Sequence, residues 1–531
     1  MRIDRLSIQG FRNLENFSID LDERKFATVL IGENGTGKSN LIEAIVLIFR
    51  DLDLAQSTPF DFHLVYRCRG ERIEVEHKAG NRPVIRVGVG PNQRILSWAG
   101  FLKARDQFLP KYIFAYYSGP SGRLRSYFES HQNNFYHKIL NAKSGQPPPL
   151  RRLFYCLPEH SRWVLLAYFL RSEEPPAFLR RYFEIEAFDS ALLVLRRPPW
   201  AKDKPSPDVA RLGDSRFWYA RGTVKNLLRR LWDESLAPIM ASARVQEDYR
   251  SKARSEEQIY LYLPSREALE RIAVDYRTEA SFFAALESTE ISNLVRDVRV
   301  RVKRAGASIV FSELSEGEQQ LLTVVGLMQF TRHEESLFLL DEPDTHLNPH
   351  WKLKYLEELT RQTGLAVDTK GAEEGSLDST SQLILTTHDP LTIAGLEKAQ
   401  VQIFRRSGNQ VIVEQPSVDP RGLGVSGVLL RMFGLPSTLD LPTQEKIRRR
   451  DELARKMESR SLEEDVELRQ LSEELGELGL LYETRDPLYS QFLEALRRRE
   501  RKMEAPVKEL PPEEQERIVD EILAELMEAE R

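Results

Sequence analysis

Cysteine is almost missing from this chain: there are two in 531 residues, Cys68 and Cys156, far apart and in no C-x-x-C pair. A disulfide framework and a cysteine-paired zinc site are thereby excluded, and both thiols are expected to be reduced. Long apolar runs are missing too, none approaching the about 18 residues that would cross a bilayer. The opening residues alternate charges with Ile3, Leu6 and Ile8. This reads as a strand rather than a signal peptide, so a cytoplasmic location without membrane insertion is expected. No repeat recurs at a fixed period, and no sustained heptad array runs between residues 49 and 314, which argues against a solenoid or a long coiled coil.

What remains is 41% apolar, enough for two or three domains with cores of their own. The sharpest local feature is residues 32–39, GENGTGKS, which fit the phosphate-binding pattern G-x-x-x-x-G-K-S. A β-like run over 26–31 precedes it, and a helical run carrying Leu41, Ile42, Ile45 and Ile48 follows. Gly32, Gly35 and Gly37 allow backbone N–H groups to turn inward around phosphates, with Glu33, Asn34, Thr36 and Asn40 completing the loop. Lys38 is expected on the β- and γ-phosphates and the Ser39 hydroxyl on Mg²⁺, so ATP with Mg²⁺ is the expected ligand pair.

Three further motifs follow in order, beginning about 275 residues downstream. Leu314-Ser315-Glu316-Gly317-Glu318-Gln319 stands at the entry to a helix expected over 320–330. A buried-strand run then ends in Asp341-Glu342 and continues through Pro343 into Asp344-Thr345-His346. A last apolar strand over 382–387 ends on His388. Asp341 suits Mg²⁺ because hard cations prefer carboxylate oxygen, and Glu342 is placed to orient or deprotonate an attacking water. A lone histidine is more often packed or solvated than catalytic. Its position after the acidic pair points instead to contact with the γ-phosphate.

Together these motifs resemble the signature motif, Walker B, D-loop and switch histidine of ABC-type ATPases. That resemblance implies an α/β ABC-type P-loop ATPase head and slow ATP hydrolysis. It also implies a homodimer or higher even oligomer, in which Ser315 and Gly317 contact the ATP held by the other subunit. Glu316 and Glu318 depart from the usual transporter form. The opening 1–14, with 34–45, resembles the start of the SMC, RecF and OLD-like branch. No zinc hook and no acidic Toprim pattern after His388 are found, so the chain is not expected to be its own nuclease. Most of it resembles the ATPase subunit of Septu antiphage defence systems. This implies a separate HNH nuclease partner and, for some members, a retron reverse transcriptase with its DNA product. The alternative is a RecF-like repair ATPase that clamps DNA. A membrane-importer motor is disfavoured by Glu316, the opening and the large insert.

The expected organisation is an ATPase head from 1–117 and 305–417, a mostly helical insert over 118–304 and a helical, acidic, partner-binding tail over 418–531. Residues 101–230 hold 23 Lys and Arg against 11 Asp and Glu. There Lys111, Arg123, Arg125, Arg151, Arg152, Arg180, Arg181, Arg196 and Arg197 interleave with Tyr112, Tyr116, Tyr117, Tyr127, Phe128, Phe135 and Tyr136. Such a mixture can hold nucleic acid, or it can be a buried aromatic core beneath a solvated charged face. A flexible loop is expected over 368–381, then a hairpin pairing 401–404 with 411–414. No glutamine is assigned to the Q-loop.

Overall fold

Six parallel strands and one antiparallel edge strand form the sheet on which the motifs sit. In order they are Gln410–Glu414, Val401–Ser407, Ala27–Gly32, Gln382–Thr386, Ser336–Asp341, Tyr112–Tyr117 and Leu153–Tyr155. The computed structural model describes residues 1–22, 25–119, 122–141, 149–170, 177–331, 335–362, 381–408, 410–456, 459–478, 480, 517–519 and 521–522. Every residue of Ala27–Gly32, Ser336–Asp341 and Gln382–Thr386 is buried. A parallel sheet covered on both faces accounts for their unbroken apolar runs. Alternate residues feed opposite cores: Val29, Phe338 and Leu383 one, Leu30, Leu337 and Ile384 the other.

The second of these cores is completed by the helix Lys38–Leu54 and a six-stranded antiparallel sheet that begins with Arg2–Gln9. The first is completed by the helix Glu316–Thr331 and by the insert. The insert is rich in helices, as expected, and adds a five-stranded antiparallel sheet that sequence reading did not anticipate. Val295–Arg304 carries a plain period of two, with Val298, Val300 and Val302 buried and Arg299, Arg301 and Lys303 exposed. Its many arginines mask that alternation as a generic charged stretch.

The chain divides into two compact units, Met1–Gly434 and Leu435–Arg531. The helix Gly424–Arg431, read from sequence as the start of the tail, belongs to the first unit. Val428 and Met432 are buried in its core, with Phe433 packed against them. In the second unit Leu441–Arg455 and Leu462–Glu477 are joined by a capping box at Ser461 and by Arg449 on Glu467 at 2.7 Å. The hairpin forms as Val401–Ser407 and Gln410–Glu414. The loop expected over 368–381 lies outside the described residues apart from Ser381.

Candidate nucleotide site

Parallel sheets gather function at the carboxyl ends of their strands. Here Gly32, Thr386, Asp341 and Tyr117 end four neighbouring strands on one edge, with the histidine strand between the loop strand and the acidic strand. The loop 32–39 leaves its strand with left-handed backbone at Gly32, Gly35 and Gly37. A side chain at Gly32 would lie 2.3 Å from the Phe404 carbonyl oxygen, so the adjacent strand demands this glycine as much as any phosphate does. One at Gly37 would meet Asn13 Oδ1 at 2.9 Å. Gly37 caps the helix without a side-chain acceptor, leaving first-turn N–H groups directed at the loop.

Thr36 and Lys38 are buried, Ser39 and Asn40 half-buried, and Glu33, Asn34 and Gly35 stand exposed at the lip. Lys38 Nζ donates to the Gly32 and Glu33 carbonyls at 2.7 and 3.0 Å. Burial lowers its pKa to about 8 although Glu342 and Asp341 pull the other way. The ammonium is thus held inside the loop, ready to exchange carbonyl partners for phosphate oxygens.

Asp341 is the hub. Its Oδ1 accepts from Ser39 Oγ at 3.0 Å and from Thr386 Oγ1 at 2.6 Å, while Oδ2 is buried with no hydrogen-bond partner among the described residues. Desolvation raises its pKa, since a carboxylate with an empty lone pair is costly in the interior. The Ser39 hydroxyl beside an orphaned carboxylate oxygen is a donor set that fits Mg²⁺.

Glu342, next along, adopts φ 53, uncommon for a long side chain, and its N–H donates to Thr386 Oγ1 at 3.0 Å. The carboxylate meets His388 Nε2 at 3.2 Å, and that contact holds it below the usual carboxylate range. Asp344, also buried, accepts from Thr387 and Thr392 at 2.6 and 2.5 Å, tying the turn after the acidic pair to the histidine strand.

Ser315 and Gly317 do not join this cluster. Ser315 is exposed, its N–H and hydroxyl donating to Glu318 Oε2 at 2.8 and 3.0 Å while Glu318 N–H returns to Ser315 Oγ at 3.3 Å. This is a capping box, and Glu318 is its N3 acceptor. Gly317 is buried, since any side chain would strike the His346 carbonyl oxygen at 2.4 Å. Gln320 donates to the Pro343 carbonyl, fixing the signature helix to the acidic turn.

Further contacts surround the site, through Asn40 and Arg123, named from sequence, and through residues given no role there. Asn13 Nδ2 holds the Gly35 carbonyl at 2.9 Å and Asn40 Nδ2 holds Asn13 Oδ1 at 2.6 Å. Arg12 and Arg123 converge on the buried Glu43 and both reach Asn40 Oδ1 at 3.3 Å, forming a cationic pair at the lip. Ser118 follows the strand beside Asp341; its N–H meets the Asp341 carbonyl at 3.2 Å and its hydroxyl meets Thr345 Oγ1 at 3.2 Å. For Arg12 and Asn13 the sequence signal was the opening 1–14 read as a whole.

The basic and aromatic stretch resolves toward its second reading. Tyr112, Tyr116, Phe128 and Phe135 are core residues, Arg151 is buried against Glu287 at 2.6 Å, and Arg152 pairs with Asp53 at 3.1 Å. These four buried rings are not available for base stacking, while Tyr117, Tyr127 and Tyr136 are half-buried. Cys68 and Cys156 are buried and free, and burial raises both thiol pKa values. No helix among the described residues is long and apolar enough to cross a membrane.

Residues 183–394 match the family described as "AAA domain, putative AbiEii toxin, Type IV TA system", and residues 1–104 match the family described as "AAA ATPase domain". The chain is 27% identical over 167 residues to the DNA replication and repair protein RecF of Acetivibrio thermocellus, covering 27% of this chain and 44% of that protein. It is 25% identical over 136 residues to the Septu protein PtuA of Bacillus mycoides, covering 24% of this chain and 17% of that protein. It thus spans less than half the length of either relative. The SMC head domain from Thermotoga maritima aligns at 14% identity with a TM-score of 0.32, over 79% of this chain and 100% of that one. The motif residues at the strand ends lie within the two AAA-domain matches, and the chain is similar to P-loop ATPases of that kind, RecF among them.

Proposed function

We propose that this chain is an ATP-driven switch. It binds ATP at the loop 32–40, closes on a second copy by lending Ser315 and Gly317 to that copy's nucleotide, and opens when the ATP is hydrolysed. The observation that carries this reading is the division of labour between the bonded cluster Ser39–Asp341–Thr386 with Glu342–His388 and the exposed, self-capped Ser315. Ser39 Oγ and Asp341 Oδ2 are the oxygens that would hold Mg²⁺, which when bound would neutralise phosphate charge. Lys38 orients the phosphates. Glu342, kept ionised by His388, takes the proton of the attacking water.

The output we propose is control of a separate HNH-type nuclease in cytoplasmic antiphage defence, docked through the second unit, Leu435–Arg531. The similarity to the Septu protein PtuA supports it. A retron reverse transcriptase and its DNA product are further candidate partners. The second reading, a repair ATPase clamping DNA in its ATP-bound dimer, is favoured by the longer RecF alignment. Affinity purification of the full chain from its host separates the two. Nuclease recovered in fixed ratio, and lost when the chain is cut after Gly434, bears out the first. Recovery of DNA without a nuclease overturns it and favours the clamp. The cut belongs after Gly434 because an earlier one at Pro416 would strip buried Val428 and Met432 from the head.

A further inference from the structure

The helix that begins at the phosphate loop has a second charged site at its other end. It runs from Lys38 to Leu54, so at about 1.5 Å per residue Asp53 lies roughly 22 Å along the axis from the loop. Around Asp53 opens a cleft of about 720 Å³, a volume in the range that takes a small organic ligand. Six cations line it, Arg69, Arg105, Lys111, Lys138, Arg151 and Arg152, against two lining carboxylates, Asp53 and Asp106, and against Glu287 behind the lining, which pairs with Arg151 at 2.6 Å.

The internal bonds do not use up this charge. Asp53 is shared three ways, by His131 Nε2 at 2.9 Å, Arg152 Nε at 3.1 Å and Arg105 Nε at 3.6 Å. The Arg69 guanidinium donates to the Gln107 and Leu109 carbonyls and to Cys68 Sγ, and pairs with no carboxylate among the described residues. Lys138 is exposed and has no partner among them. Two nitrogens are left over inside, the Arg151 Nε–H donor and the His131 Nδ1 ring nitrogen: both are buried without a hydrogen-bond partner among the described residues, on side chains only 7% and 6% exposed. Leaving a buried donor unsatisfied is costly, more so when it is charged. A purely structural role explains part of the cluster, since Arg105 caps the helix by donating to the Asp53 carbonyl at 2.8 Å. It explains neither the orphaned nitrogens nor Arg69 and Lys138.

We propose that this cleft binds a nucleoside phosphate, free or as the phosphorylated end of a nucleic-acid strand, at a site separate from the ATP loop. The excess cations and the spare Arg151 Nε–H meet the phosphate. The apolar lining of Leu54, Leu150 and Pro149 faces the sugar and base. Because the cleft closes on the far end of the helix that carries Lys38 and Ser39, an occupant there touches the same rigid element as the ATP.

The test is calorimetric titration of full-length Lys38→Ala protein, its own loop disabled, with ADP and separately with 5′-phosphorylated tetrathymidylate at low salt. We expect single-site binding of at least one probe, weakened about tenfold or more by Arg105→Glu with Lys138→Glu. ADP binding alone identifies a free nucleotide as the ligand, and tetrathymidylate binding without ADP identifies a strand end. Lys138→Glu by itself, at a side chain with no partner to lose among the described residues, should weaken binding several-fold with an unchanged melting temperature. Should Lys38→Ala fail to fold, wild-type protein saturated with a non-hydrolysable ATP analogue takes its place. Absence of binding by both probes, or binding equal in the charge-reversed variants, overturns the proposal.

Discussion

Asp341 and Ser315 stand close in sequence and behave in opposite ways. Asp341 accepts a hydrogen bond at 3.0 Å from Ser39, 302 residues earlier, and another at 2.6 Å from Thr386. Among the described residues Ser315 bonds within its own turn, to Glu318 three residues on and to the Gln319 N–H. Sequence distance therefore says little about which half of the site a residue serves. The strand-end half is assembled by the sheet, whose register brings four chain segments to one edge. The signature half is shaped locally by a capping box and presented to solvent. A chain built this way has the acidic and histidine groups for hydrolysis wired together, while its signature serine is ready for something outside.

The sharpest way to break that comparison is at the strand ends. Glu342→Gln keeps the size and the backbone turn but removes the proton acceptor. We expect hydrolysis to fall by about 10²–10⁴-fold with ATP binding retained, measured by phosphate release and by nucleotide titration. Lys38→Ala should instead lose binding, because charge-assisted contacts worth about 1.5–3 kcal/mol each go with the ammonium. Unchanged turnover in Glu342→Gln would move the base to another residue.

The signature half is tested by Ser315→Arg, a bulky cation on an exposed turn that makes no contact with its own loop. Each subunit should bind ATP as before, fail to gain mass on ATP addition by light scattering, and hydrolyse about 10²-fold more slowly. Mixed with Lys38→Ala, it leaves one composite site lacking both groups and one intact, so part of the activity should return. If Ser315→Arg dimerises and turns over normally, the serine is a helix cap and nothing more.

The residues legible in the sequence were those whose chemistry is bound to a short spacing. The loop 32–39, the acidic pair at a strand end and His388 each declare themselves within a few residues, and the sheet brings them together as that pattern implies. Thr386 and Asn13 could not be found this way: each acts through hydrogen bonds to partners far along the chain, and a threonine in an apolar strand looks like any other strand residue. The same limit misplaced the tail. Val428 and Met432 read as an unpartnered apolar face because the head that covers them is not adjacent in sequence. Charge counts erred in the opposite direction, since the surplus over 101–230 includes arginines whose partners, Glu287 for Arg151 and Asp53 for Arg152, lie outside that stretch.

The smallest effect separates the two halves by pH. Burial lowers the Lys38 pKa from 10.5 to about 8 in the chain without nucleotide, while the Ser315 turn, residues 311–320, carries no lysine. Phosphate oxygens favour the ammonium, so a bound nucleotide should raise that pKa again and binding should take up a proton above about pH 8. The sign follows: ATP affinity is at its full value below the depressed pKa and weakens as pH rises through it, by about tenfold between pH 7 and 9. Titrations in buffers of different ionisation enthalpy measure the proton uptake directly. In Lys38→Arg, which stays charged throughout, the residual affinity should lose its slope over the same range, and in Ser315→Arg the slope should persist. A slope that survives Lys38→Arg would place the titrating group elsewhere in the loop, and the lysine would then be charged in the free chain as well.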